Sequence, residues 1–150
     1  MSSRILILDA VQKIGETVEL RGWVSVRRDH GKLIFLVLRD RSGSVQLVIP
    51  PNDARLLEGS KDIRAEYAIQ VTGLVKARPG KTGTDSPTGS IEIEVKKLVV
   101  LSRPDGELPI DISKTDLDLN LDTLLTHRTL ALRNEKTQAI FRIYSEMLFA

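Results

Sequence analysis

Four side chains in this sequence have types that together suit a planar, hydrogen-bonding ligand: Arg28, Phe35, Gln46 and Glu92. Phe35 offers a π face, Gln46 a paired donor and acceptor, Arg28 a forked cation, and Glu92 an acceptor-only carboxylate. An unpaired nucleobase on its phosphate chain calls for such a set: a ring to stack on, polar groups for the base edge, and cations for the backbone. Glu92 adds an acceptor suited to a guanine edge. Taken singly, each has a plainer reading. Phe is usually buried, Gln46 and Glu92 suit solvated strand positions, and Arg28 suits a counter-charge to Asp29. The distribution of charge supports the joint reading. From Arg21 to Arg41 there are six basic residues (Arg21, Arg27, Arg28, Lys32, Arg39, Arg41) against Asp29 and Asp40, whereas from Asp105 to Asp122 six acids face only Lys114. Asymmetry of this kind focuses an anionic ligand onto one region, although two solvated surfaces would produce it too.

These side chains need elements to position them, and strand signals follow one another quickly. Residues 4 to 14 form a short apolar lead-in suited to covering one end of a barrel. Glu16 to Arg28 alternates with period two, which places Val18, Leu20, Val24 and Val26 on one face. Asp29-His30-Gly31-Lys32 reads as a turn. Leu33 to Arg39 is apolar on both faces and reads as a fully buried strand. Asp40-Arg41-Ser42-Gly43 turns it into a third strand, Ser44 to Ile49, and Pro50-Pro51 ends the meander because proline donates nothing to a ladder. Residues 52 to 63 read as a short helix with Leu56, Leu57 and Ile63 inward. A fourth strand spans Glu66 to Lys76. Ala77 to Gly89 reads as a flexible loop, and Ser90 to Leu101 as a fifth strand with Ile91, Ile93 and Val95 inward. Three strands, a helix and two strands is the order of an all-β five-stranded OB-fold, a Greek-key barrel, here followed by a linker and C-terminal helices. The expected organisation is therefore a barrel over 1–102, an acidic hinge over 103–120 and a helical segment over 121–150. In that segment Leu121 to Leu132 and Thr137 to Ala150 read as two helices. The second carries an apolar stripe of Ile140, Phe141, Tyr144, Leu148 and Phe149 with little in the barrel to cover it.

Other classes of function are excluded or disfavoured. Hydrophobic residues at 41% and charged residues at 28% are ordinary for a globular chain, so extensive disorder is not expected. No window approaches eighteen apolar residues, and the start, MSSRILILDAVQKIG, is too short and too soon polar for a secretory signal. The expected location is cytoplasmic, without membrane contact. With no cysteine and only His30 and His127, neither a disulfide framework nor a thiolate or histidine-rich metal centre is expected. There is no GxxxxGK[ST] phosphate loop. Trp23 is expected in the barrel wall, and Arg128 and Arg133 as surface residues of the helical segment.

Longer strings sharpen the reading. Arg21-Gly22-Trp23-Val24, Arg27-Arg28-Asp29-His30-Gly31-Lys32-Leu33-Ile34-Phe35, Leu38-Arg39-Asp40-Arg41-Ser42-Gly43 and Val45-Gln46 resemble the anticodon-binding domain of aspartyl-tRNA synthetases. Pro87-Thr88-Gly89-Ser90-Ile91-Glu92 is similar to the start of that family's fifth strand. His127-Arg128-Thr129-Leu130-Ala131-Leu132-Arg133 and Gln138-Ala139-Ile140-Phe141-Arg142 resemble the segment leading into its catalytic domain. The resemblance implies that Phe35 stacks on the middle anticodon base and Gln46 reads its edge, that Arg28 contacts the anticodon, and that Glu92 helps recognise the first base. His30 stands where many aspartate-specific bacterial members have leucine and where members that also accept tRNA for asparagine often have histidine, near the third anticodon base. A turn histidine is also commonly just solvated. Class II synthetases use ATP and magnesium and form homodimers in the full-length family. The three motifs that carry that chemistry lie beyond these 150 residues, so neither cofactor nor catalysis is expected of this segment alone. The expected partner is the anticodon loop of a tRNA. Alternatives are a free-standing OB module for single-stranded nucleic acid, an interaction domain docking through its terminal helix, and an asparaginyl-tRNA synthetase segment.

Overall fold

A computed structural model describes residues 4–30, 33–78, 87–106, 108–114 and 116–149. Five strands, β1 (Thr17–His30), β2 (Leu33–Arg39), β3 (Ser44–Ile49), β4 (Ala68–Ala77) and β5 (Ile91–Ser102), close into a barrel in the order β1-β2-β3-β5-β4. All neighbours pair antiparallel except β3 and β5, which run parallel. Helix α1 (Ala54–Ser60) lies between β3 and β4. This is the OB arrangement expected from the order of elements.

Alternation explains the wall. In β2 the even residues Ile34, Leu36 and Leu38 are buried, and in β3 Val45, Leu47 and Ile49 are buried. They meet Ile91 and Ile93 of β5 and Ile69 and Val71 of β4 in one core. The lead-in closes one end: Ile7 and Ala10 are buried in that core, and a 3₁₀ turn spans Leu8–Gln12. Asp40 fastens this lid. Its carboxylate accepts from Ser42 N at 2.7 Å and from Ile7 N at 2.9 Å, joining the β2–β3 turn to the lead-in. Helix α1 starts at Asp53, whose side chain accepts from Arg55 N and Leu56 N at 3.0 Å as an N-cap. Leu56 and Leu57 then pack on the core, and Ile63 is buried. Close approach, rather than turn geometry, requires Gly22: a Cβ there would sit 2.2 Å from the Arg39 carbonyl oxygen.

Several expectations change. The second strand is not buried on both faces. Leu33, Phe35 and Val37 are only half-buried, so its outward apolar row is partly open. Val26 does not share a face with Val18, Leu20 and Val24, because the β1–β2 register shifts between Val24 and Val26. Ser25 is the extra residue, and its hydroxyl donates to the Val37 carbonyl at 3.1 Å. A bulge of this kind re-aims every side chain beyond it. Strand β1 continues through Asp29 and His30, which the sequence assigns to a turn; Gly31 and Lys32 of that turn lie outside the described residues, as do residues 79–86 of the 77–89 loop. Trp23 is 39% exposed and not a wall residue of the core.

The chain divides into two compact units, Met1–Pro104 and Asp105–Ala150. In the second unit, residues expected to form a featureless hinge build a core of their own. Ile110 and Ile112 are buried with Ala131, flanked by Leu117, Leu119, Leu124 and Leu130. The first expected helix is broken into α2 (Leu121–Thr126) and α3 (Arg128–Ala131), and α4 spans Glu135–Phe149. Buried Asn134 ties the unit together. Its amide donates to the Lys114 carbonyl at 2.6 Å, while its Oδ1 accepts from Thr137 N at 3.2 Å and so caps α4. None of the α4 residues Glu135–Phe149 is buried. Arg128 lies over the Phe141 ring at 5.2 Å, a cation–π contact.

Candidate nucleic-acid interface

The outward faces of β1, β2, β3 and β5 form a continuous grid, and register determines which side chains are neighbours. Arg28 stands opposite Phe35, Phe35 opposite Val48, and Val48 opposite Glu94. The adjacent row runs Val26, Val37, Gln46, Glu92 and on to Lys76. Phe35 and Gln46 thus sit one row apart on adjoining strands. Side chains at such diagonal positions are within reach of one ligand. His30 lies at the end of β1, exposed, with its ring edge-on to Phe35 at 5.7 Å between centroids and 76° between planes. All five sequence-derived candidates are therefore on this face of the barrel.

The Phe35 ring is outside the buried core. The bulge makes that neighbourhood possible, since it turns Arg28 to the same side as the ring. Among the described residues, the Arg28 guanidinium, the Gln46 amide and the Glu92 carboxylate make no hydrogen bond or ion pair. Those donors and acceptors are open to a ligand. The next carboxylate, Glu94, is neutralised by Lys76.

The basic run from Arg21 to Arg41 is not one cationic surface. Arg21 pairs with Glu19 at 2.8 Å and Arg39 with Glu66 at 2.5 Å. Arg27 turns away from Arg28, to Asp29 and to the carbonyls that end α1. Alternation within a strand separates cations that are adjacent in sequence.

One contributor was missed by the sequence reading. A shallow cleft of about 170 Å³ opens beside Gln46, lined by Arg28, Val37, Arg78, Thr88 and Ile91 among others. Arg78 is exposed just beyond β4, and its backbone N–H donates to the Ser90 carbonyl at 2.9 Å. The signal was a cation at the edge of a Gly- and Pro-rich stretch, hidden because the stretch reads as loop. Thr88 is buried beside it, its hydroxyl donating to the Ser44 carbonyl. Among the described residues no group of His, Cys, Asp and Glu gathers to hold a metal ion, and no helix is long and apolar enough to cross a membrane.

A tRNA anticodon family model, described as an OB-fold nucleic acid binding domain, matches residues 18–101. The chain belongs to that anticodon-binding family. Its relatives narrow the branch. The anticodon-binding chain is 38% identical over 142 residues to an aspartate–tRNA(Asp/Asn) ligase of Parasynechococcus marenigrum (strain WH8102), covering 93% of this chain and 23% of the relative. It is 39% identical over 138 residues to an aspartate–tRNA ligase of Streptococcus thermophilus (strain ATCC BAA-250 / LMG 18311), covering 91% of this chain and 23% of the relative. The asparaginyl-tRNA synthetase of Pyrococcus horikoshii, solved with asparaginyl-adenylate, superposes with a TM-score of 0.80 at 28% identity, over 99% of this chain and 33% of that one. The anticodon-binding chain thus spans about a quarter of the length of the curated relatives it matches, and corresponds to a segment of aspartate–tRNA ligases.

Proposed function

We propose that the outward face of β1, β2, β3 and β5 reads the anticodon of an aspartate tRNA, as the recognition segment of an aspartate–tRNA ligase. The observation that carries this reading is the placement of a half-open ring, Phe35, one register row from the free amide of Gln46 and directly opposite the free guanidinium of Arg28. Phe35 stacks on the middle anticodon base, and Gln46 reads that base's edge with one donor and one acceptor. Arg28 contacts the anticodon strand, and Glu92 accepts from the first base. Base-edge recognition of splayed-out loop nucleotides needs these groups and little backbone geometry, which suits a barrel surface. The ATP and magnesium chemistry of the full-length family, its homodimer and its cytoplasmic location accompany this reading for the whole protein.

His30 carries the finer question of which tRNA is accepted. Relatives named for aspartate alone and for both aspartate and asparagine tRNAs match at almost equal identity, so overall similarity does not choose between them. His30 is an exposed polar group at the end of β1 beside Phe35, and an imidazole, which can donate or accept, suits more than one third anticodon base. Competition binding with anticodon stem-loops that differ only in that base tests both levels. The aspartate stem-loop should outcompete an unrelated single strand of the same length, and the asparagine stem-loop should bind within a few-fold of it. Equal binding of the unrelated strand would replace anticodon reading with general single-strand binding. Strong rejection of the asparagine stem-loop would remove the role given to His30.

A further inference from the structure

Two arginines are adjacent in β1, and the bulge decides which of them meets the ligand. Before it, Val24 pairs with Leu38; beyond it, Val26 pairs with Val37, Arg27 with Leu36 and Arg28 with Phe35. If the first pairing simply continued, Arg27 would stand opposite Phe35 and Arg28 opposite Ile34. A one-residue slip inverts the face of every side chain it carries. Both registers place an arginine beside the ring, so something else must choose between them.

The other side of the strand supplies it. Arg27 Nη1 donates to the Ser60 carbonyl at 3.0 Å, to the Ile63 carbonyl at 3.2 Å, and to the Lys61 carbonyl. Its Nη2 donates to both carboxylate oxygens of Asp29, at 3.2 and 3.1 Å. The carbonyls at the end of a helix lack partners within it, and a planar fork with five donors can hold several at once. Arg27 Nε is buried without a hydrogen bond among the described residues, a desolvation cost borne to keep the fork in place.

We propose that Arg27 is a positioning residue for the anticodon face: by gripping the carbonyls that end α1, it holds β1 in its bulged register and so selects Arg28 as the arginine beside Phe35. The inference rests on the reading of that face given above, and the test separates the two. Arg27→Met removes the grip without adding charge. Stem-loop affinity should fall by roughly tenfold, the loss expected when a charged hydrogen-bond donor leaves its place, and Arg28→Ala added to it should cost little more. Deleting Ser25 makes the ladder regular while keeping Arg28 opposite Phe35, so Arg27→Met combined with that deletion should regain most of the parental affinity. A role confined to general stability would not give that rescue. Interstrand NOEs in the 150-residue chain report the register directly and need no RNA: Arg27→Met should lose the contact between residues 28 and 35. If that contact and the affinity persist in Arg27→Met, or if affinity falls without rescue by the deletion, the positioning role is overturned. If Arg28→Ala and Phe35→Ala bind the stem-loop as the parent does, the anticodon reading fails, whatever the NOEs show.

Discussion

Replacing Phe35 by alanine separates a reading surface from a core more cleanly than any other single change. The ring lies on the outward face of β2, half-buried, outside the cluster that fills the barrel. Its one described aromatic neighbour is the edge of His30. Losing that pair should cost about 0.5–1.5 kcal/mol beyond the ring's own burial. A half-buried ring loses roughly half of the ~1.5–3 kcal/mol of a buried one, so the total should not exceed the low end of the ~3–5 kcal/mol that a core Phe→Ala cavity costs. Losing a stacked base should cost about 1–3 kcal/mol of binding. At 1.4 kcal/mol per tenfold, the dissociation constant should rise roughly 5- to 150-fold. Fluorescence anisotropy with a labelled aspartate anticodon stem-loop measures the second quantity, and urea unfolding followed by circular dichroism measures the first. Binding should therefore fall strongly and stability only modestly. A dissociation constant within twofold of the parent, or a stability loss of core size, would refute it.

Three further outcomes follow from other parts of the molecule. Arg28→Ala should flatten the dependence of log affinity on log salt by about 0.7, the single-strand value for one phosphate contact; titrations at several salt concentrations check this, and an unchanged slope would assign Arg28 to a base. Glu66→Ala should destabilise the barrel by roughly 3 kcal/mol, the low end of the range for breaking a buried ion pair, because it strips Arg39 of a partner whose side chain is only 4% exposed; urea unfolding measures it, and a loss below 1 kcal/mol would contradict the burial argument. Asp111 accepts from the hydroxyl and the backbone N–H of Ser113, and these bonds hold its carboxyl below the ordinary aspartate value, opposed by burial and aided by Lys114. Because the folded value lies below the unfolded one, the resulting stabilisation is present at neutral pH and fades as pH falls through the folded value. Ser113→Ala should move the Asp111 titration upward in an NMR pH series, and an unmoved titration would show that the hydroxyl is not its main cause.

Much of the barrel was legible because apolar strand runs bounded by turn residues follow one another, interrupted by one stretch, 52–63, with leucines but no alternation. The bulge was not. Val24 and Val26 continue the apolar alternation on paper, and only the pairing with Leu38 and Val37 shows that they face opposite ways. Sequence also merged Arg21, Arg27, Arg28 and Arg39 into one patch, although Glu19 and Glu66 neutralise Arg21 and Arg39, and the bulge sends Arg27 to the carbonyls after α1. Leu33 to Val37 read as buried because an outward apolar row has the same composition as a core strand. Ile110 and Ile112 were overlooked because two residues among acids and prolines show no period, yet they find Ala131 and the leucines around it. Trp23 was placed by its usual preference, which its outward position next to buried Val24, opposite Arg39 and Ala68, overrides.

The parallel pairing of β3 with β5 has a kinetic consequence. It brings Gln46 next to Glu92 only after the helix and the whole of β4 have been threaded between them. Non-local pairings of this kind form late, because chain entropy is lost before the contacts that offset it appear. A collapsed intermediate with the first meander alone would hold the ring and the amide but not the carboxylate, and under the proposed reading would be blind to one of the three anticodon bases. If Glu92 reads a base as proposed, full selectivity should appear no earlier than barrel closure, in a single late step of the nascent chain's folding.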